Sequence, residues 1–414
     1  MFSKGVSMKK SSILFACALI ASTSMLLSGC GSSTADNSKV QLRFATWDVA
    51  EDVDRQQQLV DKFNSENKDV HVTLEAYGKD FDAKISAGMG SHDAPDIMYM
   101  WNYPGYANGL EPLDSYIKKE GKSYKDAFYP TLWNYNSYDG KTLGLPVGFT
   151  THALYYNKDI FKKAGVEEPT NNWTWDDVRS ASKKILKKTG VKGFAYQMKP
   201  DPYDFEMYLW SNGAKYTDKN GNLKGNVNSD KALEAFKLFQ DMGKEGIAVA
   251  TESNGTDEFR SGNVAMFVYG AWALNTFDKD GLNYGIVNIP SFDHAKKKSV
   301  SILSSSGVAM SKNSKHKDLA WKFMKFWTND EANKSRIGTE LPVRMSVVKS
   351  EGMNKKPHYR PFYDMLQLSD GFTPASFIVK DWSKKSDQLS LAFEKMYNPS
   401  SSVSPKDALS EVLK

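Results

Sequence analysis

The stretch that most constrains the fold is residues 140–165, GKTLGLPVGFTTHALYYNKDIFKKAG. Two short apolar runs, residues 143–147 and 153–156, predict strands, and the Gly- and Thr-containing residues 148–152 between them predict a break. Asn157 is expected to cap a helix over residues 158–163 that ends at Gly165. Strand, crossing, strand and helix in this order indicate a chain that passes from one lobe into another.

The segment before this stretch alternates strand and helix patterns. Residues 40–47, 70–74 and 95–100 have strand patterns, and residues 54–64 and 81–88 have helical spacing. This alternation predicts an α/β fold with a mostly parallel sheet. Ligands of such sheets bind at the carboxyl ends of strands, which here carry Trp47-Asp48 and Trp101-Asn102. A chain of 414 residues is long enough for two such domains.

The N-terminus predicts export. Lys9 and Lys10 precede an apolar run over residues 13–27, and Leu-Ser-Gly-Cys ends at Cys30. This order is typical of a secretory signal over residues 1–29, starting at Met1 or Met8. The tetrad resembles a bacterial lipobox, which implies a lipidated Cys30, a flexible tether over residues 30–38 and anchoring to the outer face of the bacterial cytoplasmic membrane. The alternative is an ordinary signal cut elsewhere, with Cys30 incidental.

The sequence lacks the motifs that are typical of several functional classes. No basic block is interleaved with aromatic residues, so we expect no nucleic-acid partner. The sequence has no phosphate-binding loop and no Gly-x-Ser-x-Gly motif, and its six histidines lack metal-ligand spacing. We therefore predict no catalytic residues, no metal and no cofactor. Two alternatives stay open: binding of an acidic or phosphorylated ligand, and a secreted glycoside hydrolase with two carboxyl groups across a cleft.

Later segments, together with residues 140–165, carry a family resemblance. FRSGNVAMFVYGAWAL (259–274), SSSGVAMSKNSKHKDLAWKFMKF (304–326) and LPVRMS (341–346) resemble, in order and spacing, family 1 extracellular solute-binding proteins of ABC transporters. The resemblance implies a two-lobed periplasmic-binding-protein-like fold, each lobe a mostly parallel sheet flanked by helices, joined by hinge strands near residues 149–153, 303–307 and 341–344. It implies an N-terminal lobe over 39–151 and 304–344, and a C-terminal lobe over 152–303 and 345–414.

The resemblance also implies a function. It implies that a sugar or oligosaccharide is bound between the lobes and delivered to a membrane permease, and we expect the protein to be a monomer. Relative to the maltose-binding-protein-like members, Asp201, Tyr203, Trp272 and Trp382 match ligand-contacting positions. An Asp-Arg pair that binds maltose hydroxyls is replaced here by Trp101-Asn102-Tyr103, which argues against maltose itself.

Candidate ligand-binding residues follow from sugar chemistry. A sugar ring packs its C–H face on Trp or Tyr, and its hydroxyls need Asp, Asn or Arg partners. We therefore expect a site formed by Trp47, Asp48, Asp80, Trp101, Asn102, Phe149, Asp201, Tyr203, Trp272, Arg344 and Trp382. Each tryptophan taken alone is more often core, and Trp272 could instead pack at the base of the helix that follows it. Four others sit in helical patterns that predict packing: Trp133, Trp210, Trp321 and Trp327.

Overall fold

A single 14-residue strand, Gly144–Asn157, runs through the centre of the molecule. The structure is a computed structural model and describes residues 39–292, 298–400 and 403–413. Within these residues the strands are β1 Val40–Thr46, β2 Val70–Ala76, β3 Ile97–Met100, β4 Ser137–Tyr138, β5 Lys141–Thr142, β6 Gly144–Asn157, β7 Lys192–Gln197, β8 Ala248–Thr251, β9 Val264–Gly270, β10 Tyr284–Val287, β11 Leu303–Met310 and β12 Leu341–Pro342.

Helices flank these strands. The described α-helices are α1 Glu51–Glu66, α2 Phe81–Ser91, α3 Tyr103–Tyr106, α4 Asp114–Glu120, α5 Lys122–Lys125, α6 Pro130–Tyr135, α7 Lys158–Ala164, α8 Trp175–Thr189, α9 Pro202–Ser211, α10 Asp230–Lys244, α11 Thr256–Arg260, α12 Leu274–Lys279, α13 Lys317–Trp327, α14 Asp330–Ser335, α15 Met345–Ser350, α16 Arg360–Leu368, α17 Ala375–Ile378, α18 Trp382–Tyr397 and α19 Pro405–Leu409.

Strand β6 belongs to two halves of one sheet. The strand order is β2-β1-β3-β11-β6-β9-β7-β8, and β10 and β12 also pair with β6. The first part of β6 pairs with β11, whereas residues 152–156 pair with β9. We call the half with β1, β2, β3 and β11 the N-terminal lobe, and the half with β7, β8, β9 and β10 the C-terminal lobe. Parallel pairs join β1 to β2 and β3, and β7 to β8 and β9.

The predicted break at residues 148–152 is wrong, because β6 is continuous through them. Every residue from Gly144 to Tyr156 is buried, and pairing with strands on both sides keeps the backbone extended. The pairing with β11 does shift by one residue within β6, because Ser306 pairs with Gly148 and Gly307 with Pro146, which leaves Val147 as the extra residue of a bulge. Gly148 has another reason to be glycine: a Cβ atom there would lie 2.7 Å from the Cβ of Glu340.

Local capping explains where two predicted helices begin and end. The Asn157 side chain accepts a hydrogen bond from the Ile160 N–H at the start of α7, and Gly165 ends it with a φ of 65°. At α8, Thr174 Oγ1 accepts from the Asp177 N–H, and the Asp177 carboxylate accepts from the Thr174 N–H in return. The cap predicted at Asn157 is confirmed.

The four tryptophans predicted to pack are buried, and the core of each lobe is aromatic. In the N-terminal lobe Trp327 contacts Phe44 edge-on, with ring centroids 4.7 Å apart. In the C-terminal lobe Trp175 contacts Phe239 edge-on at 5.6 Å. Such pairs add to the stabilisation from area burial alone. Both lobes therefore have cores that hold the ends of their strands in place.

Candidate functional site

A cavity of about 900 Å³ lies where the ends of several strands converge. Trp47 follows β1, Trp101 follows β3 and Trp272 follows β9, and all three line the cavity. The middle of β6 contributes Phe149 and Thr150. Because both lobes supply these residues, the cavity lies between them, where ligands of α/β sheets are expected.

The cavity brings together nine of the eleven predicted ligand-binding residues. They share a position at a strand end, at a helix start or on β6, and they are Trp47, Asp48, Trp101, Asn102, Phe149, Asp201, Tyr203, Trp272 and Trp382. Two of these residues already use their polar side chains in hydrogen bonds within the protein. Asn102 already caps α3 by accepting from the Gly105 N–H, and Asp201 caps α9 by accepting from the Tyr203 N–H.

Asp80 and Arg344 do not line the cavity, so the structure does not bring these two predicted residues to it. Asp80 is exposed at the start of α2. The Arg344 Nε lies 2.7 Å from Asp330 Oδ1, and its guanidinium stacks over the Phe128 ring at 4.9 Å. An arginine held by a carboxylate and an aromatic face needs no ligand.

Two tryptophans stand out by exposure. Trp101 is 47% exposed and Trp272 is 51% exposed, and no other tryptophan in the described ranges is as open to solvent. Trp47 instead packs against Phe81 and Tyr99, with ring centroids 5.2 and 5.0 Å away. The exposure of Trp272 excludes the alternative in which its ring packs into the base of α12.

The backbone before Trp272 explains how its ring is held. The Ala271 N–H donates to Thr150 Oγ1 at 2.8 Å, which ties the end of β9 to β6. A Cβ atom at Gly270 would lie 2.6 Å from the Trp272 ring, so glycine lets the ring fold back over the strand end. The ring contacts His152 and Tyr269, with centroids 5.8 and 5.5 Å away, and about half of the residue remains exposed.

The cavity side formed by the C-terminal lobe, which we call the C-terminal wall, consists of Asp201, Tyr203, Asp204, Trp272 and Trp382. Burial, and then the negative charge of Asp201, raise the pKa of Asp204 to about 7. Asp204 was not among the residues predicted from the sequence. A signal existed, because residues three apart on a helix share a face, and Asp204 follows Asp201 by three at the start of α9.

The opposite side, the N-terminal wall, consists of Trp47, Asp48, Gln56, Trp101, Arg336 and Glu340. The Thr46 Oγ1 donates to Asp48 Oδ2 at 3.2 Å, and Gln56 Nε2 donates to the same oxygen. Burial raises the pKa of Asp48 despite these hydrogen bonds. The other polar members, Gln56, Arg336 and Glu340, were not predicted from the sequence.

Arg336 and Glu340 form the charged centre of the N-terminal wall. The Arg336 Nε lies 3.2 Å from Glu340 Oε2, and Arg336 Nη2 donates to the Trp327 carbonyl at 3.0 Å. The Ser306 hydroxyl donates to Glu340 Oε1 at 2.6 Å. Burial raises the pKa of Glu340, while the nearby guanidinium opposes that rise. The sequence contains a signal for this pair, because Arg336 and Glu340 carry opposite charges four residues apart, shortly before the Leu-Pro-Val-Arg motif.

The lining carries more negative than positive charge. Six carboxylates line the cavity, from Asp48, Asp52, Asp201, Asp204, Glu340 and Asp387, against three cations, from Arg55, Arg336 and Lys380. Asp52 and Glu340 pair with Arg55 and Arg336. In the part of the chain that the structure describes, no group of three His, Cys, Asp or Glu side chains could hold a metal ion. Nor does any described helix have the length and apolar character needed to cross a bilayer.

Comparisons with known proteins agree on the class. The sequence model of the bacterial extracellular solute-binding protein family matches residues 51–334. The arabinooligosaccharide-binding protein of Bacillus subtilis (strain 168) is 25% identical over 439 aligned positions, covering 97% of this chain and 98% of that protein. The sn-glycerol-3-phosphate-binding periplasmic protein of Shigella flexneri serotype 5b is 29% identical over 259 positions, covering 58% of each chain.

A solved structure shares the fold. The ABC substrate-binding protein of Listeria monocytogenes, in complex with cycloalternan, superposes with a TM-score of 0.74 at 25% identity. The superposition covers 91% of this chain and 97% of that one. Together with the sheet topology, this confirms the predicted two-lobed α/β fold.

Proposed function

Since this chain belongs to the bacterial extracellular solute-binding protein family, we propose that it captures an oligosaccharide in the cavity and delivers it to an ABC permease. One observation carries the choice of ligand: the two most exposed tryptophans, Trp101 and Trp272, both line this cavity. A large apolar side chain left open to solvent is costly unless something covers it, and the C–H face of a sugar ring does so well.

The size of the cavity favours more than one sugar ring. Small-molecule sites span about 300–1,000 Å³, and a volume of about 900 Å³ lies near the upper end. The relative from Bacillus subtilis carries an oligosaccharide in its name. Its whole length aligns with this chain, so it supports the oligosaccharide proposal better than relatives that match in part.

Delivery requires that the lobes close on the ligand and open again. We place the hinges near residues 149–153, 303–307 and 341–344, and we keep the lobe boundaries expected from the sequence. These segments are the strands β6, β11 and β12, which lie beside one another. Small rotations in a few residues of adjacent strands are enough for closure. The protein acts as a monomer and performs no chemistry on its ligand.

An acidic or phosphorylated ligand is the second candidate, and a specific comparison favours it. The relatives that match 58% of the chain include proteins for sn-glycerol 3-phosphate. The charges of the cavity favour the sugar instead, because two of the three lining cations already pair with carboxylates. A secreted glycoside hydrolase is the weakest alternative, since the family consists of binding proteins.

The export signal and the lipidated Cys30 belong to the same proposal, and they lie outside the described residues. A diacylated cysteine followed by a polar tether would hold the protein at the outer face of the cytoplasmic membrane. Cys30→Ala should release the protein from the membrane fraction, or leave its leader uncleaved, with unchanged ligand affinity. Normal cleavage with retained membrane association would contradict the lipid anchor.

Isothermal titration calorimetry and thermal shift with three probes test the ligand class. Maltotriose and arabinotriose represent neutral oligosaccharides, and sn-glycerol 3-phosphate represents the acidic class. At a hundredfold excess over Kd, a ligand stabilises the folded state by about 2.7 kcal/mol. We expect stabilisation by at least one neutral oligosaccharide and none by the phosphate. Binding of the phosphate alone would replace the sugar with the second candidate.

A further inference from the structure

Four polar side chains of the N-terminal wall form a cluster that we call the polar subsite: Asp48, Gln56, Arg336 and Glu340. Gln56 and Arg336 are each only 4% exposed. Their atoms are not all satisfied, because Gln56 Oε1, Arg336 Nε, Arg336 Nη1 and Glu340 Oε2 lack hydrogen-bond partners. Buried polar atoms without partners are rare in folded proteins and cost free energy.

The ion pair in the subsite does not remove this deficit. Arg336 Nε lies 3.2 Å from Glu340 Oε2, but its N–H is not aimed at that oxygen well enough for a hydrogen bond. Other contacts hold the two side chains from behind: Arg336 Nη2 donates to the Trp327 carbonyl, and Ser306 Oγ donates to Glu340 Oε1. The anchored side chains therefore keep buried, unused donors and acceptors close together, on residues that line the cavity.

The unsatisfied atoms are of both kinds, which restricts what can satisfy them. Arg336 supplies two donors, while Gln56 and Glu340 each supply one acceptor. A hydroxyl group accepts from one atom and donates to another, so neighbouring hydroxyls can satisfy both kinds at once. A phosphate dianion only accepts, and it would leave the Glu340 and Gln56 oxygens unpaired.

The charged groups of the subsite also favour an uncharged ligand over an anion. Asp48 and Glu340 place two carboxyl groups beside the single guanidinium of Arg336, which is already paired with Glu340. The nearby Arg55 is paired with Asp52. An anion entering the subsite would therefore meet no unpaired cation among these residues, in a place partly shielded from water, which is unfavourable.

We propose that the polar subsite binds adjacent uncharged hydroxyl groups at one end of the sugar and rejects phosphorylated and carboxylated ligands. This inference rests on the proposed function and assigns the ligand class to four residues. Trp101 and Trp272 then cover the apolar faces of the rings, while the polar subsite sets which terminal ring is accepted.

The test uses a matched pair of variants, Glu340→Gln and Asp330→Asn. Each removes one carboxylate from an arginine ion pair, but Asp330 pairs with Arg344 and does not line the cavity. In Glu340→Gln an amide N–H₂ takes the place of the unused acceptor. We expect affinity for maltotriose or arabinotriose, whichever the wild type binds, to fall about tenfold, the loss of one hydrogen bond to a charged group. Asp330→Asn should change it less than about twofold.

The outcomes separate this inference from the proposed function. If the wild type binds a neutral oligosaccharide and Glu340→Gln binds it equally well, the polar subsite is wrong while the proposed function stands. If the wild type binds only sn-glycerol 3-phosphate, or none of the three probes, both fail. Gln56→Met provides a second variant that deletes the Gln56 acceptor at similar volume, and it should weaken neutral-sugar binding if Glu340→Gln does not fold.

Discussion

The two walls of the cavity hold their side chains in different ways. On the N-terminal wall Trp47 packs against two rings, and Asp48 and Glu340 are each held by neighbouring side chains. On the C-terminal wall Trp272 is 51% exposed. There the pKa of Asp204 is raised by burial and by a second carboxylate, with no cation among the causes.

This difference suggests a division of labour between the walls. Groups that are fixed before a ligand arrives lose little freedom on binding, so the N-terminal wall is suited to choosing hydroxyl positions. An exposed ring supplies contact area with little directional demand, so Trp272 on the C-terminal wall, like Trp101 on the opposite one, is suited to affinity. Variants on either wall, and variants away from both, test whether the walls differ in this way.

The largest effects are expected from the two tryptophans that differ most in burial. Trp272→Ala should weaken oligosaccharide binding by about thirtyfold in Kd, equivalent to about 2 kcal/mol. Its melting temperature should change little, because the ring is half exposed. The matched change in the core, Trp327→Ala, should instead lower the free energy of unfolding by about 3–5 kcal/mol, since Trp327 is fully buried.

Calorimetry and a melting curve on both variants decide this prediction. A large drop in the melting temperature of Trp272→Ala with unchanged affinity would show that Trp272 stabilises the fold and does not cover a ligand. If the two variants lowered stability equally, Trp272 would be a core residue like Trp327 and not an exposed ring of the cavity.

A smaller effect concerns Asp204 and pH. The pKa of Asp204 in the folded protein is about 7, above its ordinary value of 3.8. The folded state therefore holds the proton more tightly, so the free energy of unfolding should fall as pH rises from about 4 to 7 and stay level above that. Glu206, whose pKa burial raises to about 8, adds a decline of the same sign.

The Asp204→Asn variant measures how much Asp204 contributes to the fall in the free energy of unfolding with rising pH. Asparagine is neutral at every pH, so the variant should be more stable than the wild type at pH 8 and similar at pH 4. The full pKa difference corresponds to about 4 kcal/mol in the free energy of unfolding. Because Asp204 lines an open cavity, solvent screening reduces this, and we expect a difference of about 2 kcal/mol between the two proteins at pH 8. Urea unfolding at pH 4, 6 and 8 measures it, and parallel curves for the two proteins would contradict the assignment.

The smallest effects are expected at the two predicted residues that lie outside the cavity. Arg344→Ala removes the ion pair with Asp330, and Asp80→Asn removes an exposed carboxylate. Neither should change oligosaccharide affinity by more than about twofold, because neither side chain lines either wall. A tenfold loss in either variant would mean that closure brings that residue to the ligand.

Local sequence signals predicted much of the fold. The cap of α7 and the strand patterns before the first crossing are local features, and the structure has them as expected. Strand ends also located Trp47, Trp101 and Trp272 in the cavity, because the carboxyl ends of strands converge in this fold class. The break expected at Gly148 was wrong because its glycine serves the packing of Glu340 and not a turn.

By itself, the sequence determined which segments become strands and helices, that the chain forms two lobes, and which aromatic residues end its strands. These properties depend on hydrophobic period, capping residues and motif order within short windows. Only the tertiary structure decided which of two nearby arginines faces the cavity. Arg336 and Arg344 lie in one short segment with the same charge, yet one lines the cavity and the other pairs with Asp330 beside Phe128. Partners distant in sequence set that difference, and no local pattern contains them.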